Sequence, residues 1–345
     1  MTKELTERQK LLLSLIIHEH TRTAQPVGSK SIVNQFGLNL SSATIRNELA
    51  TLTELGYLRQ PHTSAGRVPT EEGYRYFVSN LVQQTNLPAT TRNTISHQFY
   101  QAPQGLVQWL RLAASVLANH SQAASLVTAP HTTRATFKHI ELLSTRATQV
   151  LLVLVLGGGE IRQRILSLDE SVSQENLSEL SAHINGLCQN YSADDLKSRH
   201  EQLSPLGLIV LDTIIEEMRL SSTLVTGEVY LDGLTNVLTE PEFAQSELAR
   251  SPMRLLEERT LLNDLISRTI MTEEVGGVQV LIGGEGTWDE LRDCSVILTR
   301  YGIPDQLTGA IGVLGPMRMP YGHTISTVRF MAGLLSDLVS EHLVE

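Results

Sequence analysis

The sequence predicts an α+β protein whose first ~80 residues form a winged helix-turn-helix. Three observations carry that prediction. Residues 1–82 read in the order helix, helix, helix, strand, loop, helix. Beyond them, apolar strand-like runs fall into two groups separated by a mostly helical stretch. Charge is also unevenly divided, with a mildly basic N-terminal part and an acidic remainder.

The first helix is expected over Leu5 to His20, with Leu12, Leu15 and Ile16 at roughly helical spacing. Pro26 and Gly28 break the chain. Ser29 is a candidate cap for a short helix running to about Phe36, and Gly37 ends it. After the turn Gly37-Leu38-Asn39-Leu40, Ser41 and Ser42 offer caps for a third helix reaching about Leu55. Its apolar stripe is Ile45, Leu49 and Leu52, spaced i, i+4, i+7. Gly56 terminates it. Tyr57 to Gln60 reads as a strand, Pro61 to Pro69 as a loop with Gly66 at its tip, and Thr70 as the cap of a helix ending near Val82.

Residues 83–95 are polar, contain Pro88, and read as a linker. A helix follows over Gly105 to His120, then strands at Ala124 to Thr128, Phe137 to Ser144, Val150 to Leu156 and Ile161 to Leu168. Asn176 to His200, Leu206 to Arg219 and Phe243 to about Arg268 read as helical. Glu228 to Leu231 forms a further short segment, and strands are expected at Val278 to Gly283, Ser295 to Tyr301 and Ala310 to Leu314. A last helix buries Met331, Leu334, Leu335 and Leu338. Either one α+β domain carries a helical insertion, or there are two domains.

Composition narrows the function classes. The net charge of −10 argues at first against a nucleic-acid partner. Residues 1–82 nevertheless hold 9 Lys and Arg against 7 Asp and Glu, leaving 18 basic and 30 acidic residues of the chain's 27 and 37 for the remainder. Only the head is therefore suited to approach phosphate. Two distant cysteines, Cys188 and Cys294, make no disulfide framework. The N-terminus lacks a signal-peptide core, and the longest strongly apolar run, Val150 to Leu156, is too short to span a bilayer. The chain reads as a soluble cytoplasmic protein with no membrane partner.

The constellation that carries chemistry lies on the third helix. At about 100° per residue, Ala43, Asn47, Ala50 and Glu54 stand opposite the apolar stripe, with Thr44 and Arg46 flanking it. Its exposed N-terminal turns present Ser42, Thr44, Arg46 and Asn47. Arg can fork onto guanine and Asn onto adenine, and recognition helices read bases mainly from their N-terminal residues. In the wing-like loop, His62 and Arg67 suit phosphate or minor-groove contact, and Arg59 lies on the strand leading into it. The alternative is a solvated helix beside an ordinary polar loop.

Residues Leu40 to Leu49, Glu54 to Leu58, Gln60 to Thr70 and Gly73 to Tyr76 closely resemble the N-terminal domain of HrcA repressors. Asp293-Cys294-Ser295, Tyr301, Gly309 to Pro316, Arg318-Met319 and Tyr321 resemble that family's C-terminal signature. The resemblance implies a GAF-like domain over 96–345, interrupted by a mostly helical dimerising insertion at about 165–225. It further implies a homodimer on a double-stranded inverted-repeat operator called CIRCE, repression of heat-shock chaperone genes, and support of the active fold by a GroEL-type chaperonin.

Other signals complete no site. Gly28-Ser29-Lys30 lacks the spacing and order of a phosphate loop. The glycine runs at 157–159 and 283–286 lack a dinucleotide fingerprint. His18 and His20 point about 200° apart on a helix, so they cannot share a metal ion. Cys294 reads as a small buried residue rather than a nucleophile. Neither a catalytic motif nor a cofactor motif is complete, so no enzymatic activity is expected. Arg318 reads either as part of a ligand or partner surface or as the anchor of a carboxylate after a tight turn. Three rivals to the repressor stay open: a regulator whose GAF-like domain senses a small effector, an enzyme, and an interaction module that binds no DNA.

Overall fold

The computed structural model describes residues 5–38, 40–63, 65–82, 87–103, 105–132, 135–146, 148–157, 159–223, 228–243, 246–270, 275–304 and 306–342. Asn39 of the expected turn, Ser64 of the loop, residues 83–86 of the linker and Gly158 of the first glycine run lie outside them. The chain is a mixture of helix and sheet. In order it forms α1 (Glu7–Thr23), α2 (Ser29–Phe36), α3 (Ser42–Glu54), β1 (Leu58–Arg59), β2 (Val68–Pro69) and α4 (Glu71–Tyr76). Then come α5 (Ala89–Gln101), α6 (Leu106–Ser121), β3 (Ala124–Thr128), β4 (His131–Thr132), β5 (Phe137–Arg146), β6 (Gln149–Leu156) and β7 (Ile161–Ser167). Next are α7 (Gln174–Cys188), α8 (Ala193–Leu196), α9 (Pro205–Thr223), β8 (Val229–Asp232), α10 (Leu234–Leu238), α11 (Ser246–Glu257) and α12 (Arg259–Ile270). The chain closes with β9 (Val278–Ile282), β10 (Cys294–Ile303), β11 (Leu307–Pro316) and α13 (Tyr321–His342).

These elements make two compact units. The first comprises residues 1–129, 228–301 and 310–345, and the second 130–227 with 302–309.

Residues 5–82 of the first unit, the head, follow the expected order closely. Ile45, Leu49 and Leu52 are buried on α3, as their spacing predicts. α1 buries Leu12, Leu13, Ile16 and Ile17, while Leu15 is half-buried. Burying each such side chain contributes about 1.5–3 kcal/mol. The caps differ in detail. Ser41, not Ser42, caps α3 by accepting from the Thr44 amide at 3.1 Å. Gly28 precedes α2 with no side-chain cap, because the Ser29 hydroxyl turns to Ser42 instead. Thr70 caps α4, and the chain continues as a π-helical turn over Phe77–Leu81.

The rest of the first unit is built on an antiparallel sheet in the order β8-β3-β11-β10-β9. Leu126 stands opposite Gly312 on one side and Leu231 on the other, and Val296 stands opposite Leu281. β10 and β11 are buried along almost their whole length, which is why they read as continuous apolar runs. α6 packs on β3, β8 and α13. α13 buries Met331, Leu335 and Val339, with Leu334 and Leu338 only half-buried. The linker expected at 83–95 gives way to helix from Ala89 onward. Ile95 and Phe99, an i, i+4 pair, are buried there, an anchor that the polar composition masks. Cys294 is buried at the start of β10, and burial pushes its thiol up to about 12.

The second unit has its own core. β5, β6 and β7 form an antiparallel sheet, with Leu142 opposite Leu152 and Leu152 opposite Arg164. β6 alternates buried and half-buried residues, the period-2 pattern of a strand with one face on the core. Its inner residues share one apolar cluster with Leu177 and Ile184 of α7 and with Leu211, Ile214 and Met218 of α9. The strands from 137 to 167 therefore belong with the helices expected in the insertion at about 165–225. Asn176 to His200 is not one helix either. The chain breaks after Cys188, and Asn190 adopts a left-handed φ of 66°.

Candidate nucleic-acid interface

α3 places its side chains according to helical geometry and two tethers. Glu48, a residue that phosphate would repel, is turned onto α1. It accepts from Arg8 Nη1 at 3.2 Å and from Gln9 Nε2 at 3.0 Å. With Glu48 and the apolar stripe facing inward, Ala43, Arg46 and Asn47 are exposed.

The four residues expected to read bases divide into two pairs. Arg46 and Asn47 are exposed on the outer face. Ser42 and Thr44 are half-buried and already engaged, Ser42 Oγ with Ser29 Oγ at 3.1 Å and Thr44 Oγ1 with Ser41 Oγ at 2.9 Å. Those two hydroxyls tie the start of α3 to α2 and to its own cap.

The hairpin β1–β2 holds the other three. Arg59 and His62 are exposed. Arg67 is half-buried, and its Nε donates to Thr53 Oγ1 on α3 at 3.0 Å. Its backbone pairs with Val27, N to O at 2.8 Å in both directions. Gly66 is required by that pairing rather than by a loop tip. A Cβ there would lie 2.5 Å from the carbonyl carbon and oxygen of Val27. Gln60 holds the loop closed by donating to the carbonyls of Thr63 and Ala65.

Arg46 and Arg67 meet across a cleft of about 450 Å³ between α2, α3 and the hairpin loop. Gly28, Lys30, Gln60 and Gly66 also line it. Lys30, Arg46 and Arg67 thus share one concave surface, with no carboxylate among the described residues lining it. Asn47, Arg59 and His62 lie outside the cleft lining. Sequence reasoning missed Lys30 and Gln60. Lys30 was legible only as part of an incomplete phosphate-loop motif, and Gln60's role depends on the loop closing back on itself.

The head carries a second group of polar residues. His20 Nδ1 lies 2.8 Å from Tyr74 Oη, and burial lowers its pKa, opposed by Glu242 and reinforced by Arg318 and Arg59. Burial likewise pushes the Tyr74 hydroxyl well above its usual range. The His18 and Phe77 rings instead pack in a T-shape with their centroids 5.6 Å apart. Among the described residues, no group of three or more His, Cys, Asp or Glu is placed to hold a metal ion. Likewise among them, no helix is long and apolar enough to cross a membrane.

Residues 107–325 match the family model described as the HrcA protein C-terminal domain. A heat-inducible transcription repressor HrcA from Roseiflexus castenholzii is 45% identical over 99% of this chain and 96% of its own length. One from Herpetosiphon aurantiacus is 42% identical over 99% of this chain and 97% of its own. A crystal structure of a protein described only as hypothetical superposes with a TM-score of 0.59 at 21% identity, covering 98% of this chain and 99% of that one. That last likeness is one of fold.

Proposed function

The chain belongs to the HrcA family of heat-inducible transcription repressors, and from that premise we propose how it engages DNA. Residues 1–82 act as a winged helix, with α3 as the recognition helix and the β1–β2 loop as the wing. Arg46 and Asn47 reach base edges in the major groove, while Lys30, Arg59, His62 and Arg67 face the sugar-phosphate backbone. Ser42 and Thr44 hold the start of α3 in place. The observation that carries this reading is the exposed Arg46-Asn47 pair beside a cleft lined by Lys30, Arg46 and Arg67 without a carboxylate.

The remainder is read as a GAF-like domain, with the dimerising insertion assigned to the compact unit at 130–227. A single winged helix has a small footprint. Two of them, linked in a symmetric dimer, multiply their effective concentration on an inverted repeat of the CIRCE type. A GroEL-type chaperonin supports the fold of the body in the cytoplasm and so sets the fraction of molecules competent to bind.

The test is selection of duplex DNA by the purified full-length protein, with and without chaperonin. An inverted repeat should emerge, and chaperonin should raise the titrated active fraction without changing the affinity of each competent molecule. Selection of no sequence, or of a single unrepeated site, would overturn the reading.

A further inference from the structure

The last turn of a helix leaves its carbonyls without intrahelical partners, and they carry partial negative charge. In α1 the His20 carbonyl is met by the Ala24 amide. The next one, Thr21, is met from far along the chain. Arg318 Nη1 donates to it at 3.2 Å, across 297 residues of sequence. Head and body here belong to the same compact unit.

Arg318 is built to be held. Its side chain is only 11% exposed. Nε donates to Glu242 Oε1 at 2.5 Å and Nη2 to Glu242 Oε2 at 3.1 Å, a two-pronged pairing, while Nη2 also meets Glu240. The fork thus aims its remaining nitrogen at the end of α1. Three further contacts join the same surfaces. Arg75 of α4 donates to the Ile282 carbonyl at the end of β9, at 3.0 Å. The rings of Tyr74 and Tyr321, both buried, lie 6.0 Å apart, and Ser295 and the Met317 carbonyl hold the Tyr321 hydroxyl. Gly283, at φ +66°, gives the Glu71 carboxylate the space that a Cβ would occupy. Polar contacts of this kind specify one orientation, whereas apolar contact alone tolerates sliding.

We propose that Arg318 is a positioning residue for DNA binding. By capping α1 from the body it fixes the orientation of the head, and with it the spacing at which the two heads of a dimer meet an inverted repeat. The proposal rests on the dimeric winged-helix reading above. It makes a distinction that a merely structural role would not make. A single half-site does not sense the orientation of the head on the body. A full repeat does, because the second head binds at an effective concentration set by how well the two are pre-aligned.

The experiment uses full-length wild type, Arg318→Ala, Arg318→Lys and Arg75→Ala. Each is titrated against a duplex carrying the CIRCE-type inverted repeat, against the same duplex with one arm scrambled, and against repeats with shortened or lengthened spacers. Titration on the one-armed duplex gives the competent fraction, so that misfolded protein is discounted. For Arg318→Ala we expect half-site affinity within about twofold of wild type, an about ten- to hundredfold loss on the full repeat, and a flattened preference for spacer length. Arg318→Lys keeps the charge without the fork and should fall between the two. Arg75→Ala, which removes a contact from the head's side, should shift in the same direction by less. Equal losses on half-site and full repeat would overturn the proposal, as would an unchanged or improved affinity for the full repeat. A wild type that does not prefer the full repeat to its half-site would instead overturn the dimeric reading, and this inference with it.

Discussion

The head and the compact unit at 130–227 are both small mixtures of helix and sheet, yet they are fastened differently. In the head, polar side chains pin the elements to one another. Glu48 joins α3 to α1, Glu19 joins α1 to Gln35 of α2, Arg67 joins the hairpin to Thr53, and Gln60 closes the loop. In the unit at 130–227, one apolar cluster joins the inner face of β5–β6–β7 to α7 and α9. Polar bridges also cross its elements: Asn185 of α7 pairs with both backbone groups of Ile140 at 2.8 and 3.0 Å, Gln174 of α7 meets the Leu142 carbonyl and the Ser144 amide of β5, and Arg164 of β7 pairs with Glu217 of α9. Single polar atoms therefore fix the α3 and hairpin surface of the first region, whereas in the second the polar bridges are added to one shared apolar cluster. A reader of DNA needs its surface groups placed to fractions of an ångström, and polar pins provide that.

The contrast is broken first, and by the largest effect, in the apolar cluster. Leu154 on β6 is fully buried there. Leu154→Ala should destabilise the unit at 130–227 by about 2–5 kcal/mol through lost burial and the cavity left behind. Hydrogen exchange of the β6 amides reads that loss. Half-site affinity of the folded fraction should not change. A weakened half-site would show that the two regions are not independent.

Two glycines sharpen it. At Gly66 a methyl group meets the Val27 backbone, so Gly66→Ala must push the hairpin away and strain both 2.8 Å bonds between Val27 and Arg67. Overpacking of this kind costs about 1–3 kcal/mol, and here it also displaces the loop proposed to face DNA. At Gly159, between β6 and β7, the space is open and only the φ of 86° is unfavourable. Gly159→Ala should cost about 1–2 kcal/mol for the left-handed backbone and leave DNA binding alone. Thermal unfolding and half-site titration of both variants decide it. Equal loss of DNA binding in the two would erase the distinction.

Asn47 comes next. It is exposed, and among the described residues its side chain has no hydrogen-bond partner, so Asn47→Ala should leave stability unchanged. Affinity for the inverted repeat should fall by about 1–3 kcal/mol, with much less change on scrambled DNA. Equal losses on both would move Asn47 from base edge to backbone.

Much of the head was legible because its signals are local. The i, i+4, i+7 stripe Ile45-Leu49-Leu52, the glycines after α2 and α3, and the threonine before α4 each fix an element with information from a few neighbouring residues. The exposed pair Arg46-Asn47 follows from the same periodicity. What was not legible depends on distant partners. Ser42 stands at the start of α3 where a base reader would, but the Ser29 hydroxyl on α2 claims it. Gly66 looks like a loop tip until Val27 is placed against it. The strands at 137–167 were found by alternation, but nothing in a strand's own sequence says which helices will cover it. Here α7 and α9 do. Arg318 was legible as the anchor of a carboxylate, whereas its hold on Thr21 crosses nearly the whole chain.

Arg67 provides the finest test, because it belongs to both sides of the contrast. As a cation lining the cleft it should hold phosphate, yet its Nε also holds Thr53 Oγ1 at 3.0 Å. Arg67→Ala removes both roles. Thr53→Val removes the pin and keeps the cation. The hydrogen bond lost in Thr53→Val is worth about 0.5–1.5 kcal/mol. Thr53 Oγ1 otherwise donates to the Leu49 carbonyl within α3, a group already served by the helix. Arg67→Ala should weaken operator and scrambled DNA alike and make the salt dependence shallower by about one unit per half-site. Thr53→Val should leave the salt slope unchanged and lower affinity for both duplexes only slightly, by freeing an arginine that can still find phosphate. Affinity measured against salt on the two duplexes separates the roles. If Thr53→Val flattens the slope as much as Arg67→Ala, the pin is what makes Arg67 a phosphate contact at all, and the distinction between fastening and reading fails at this residue.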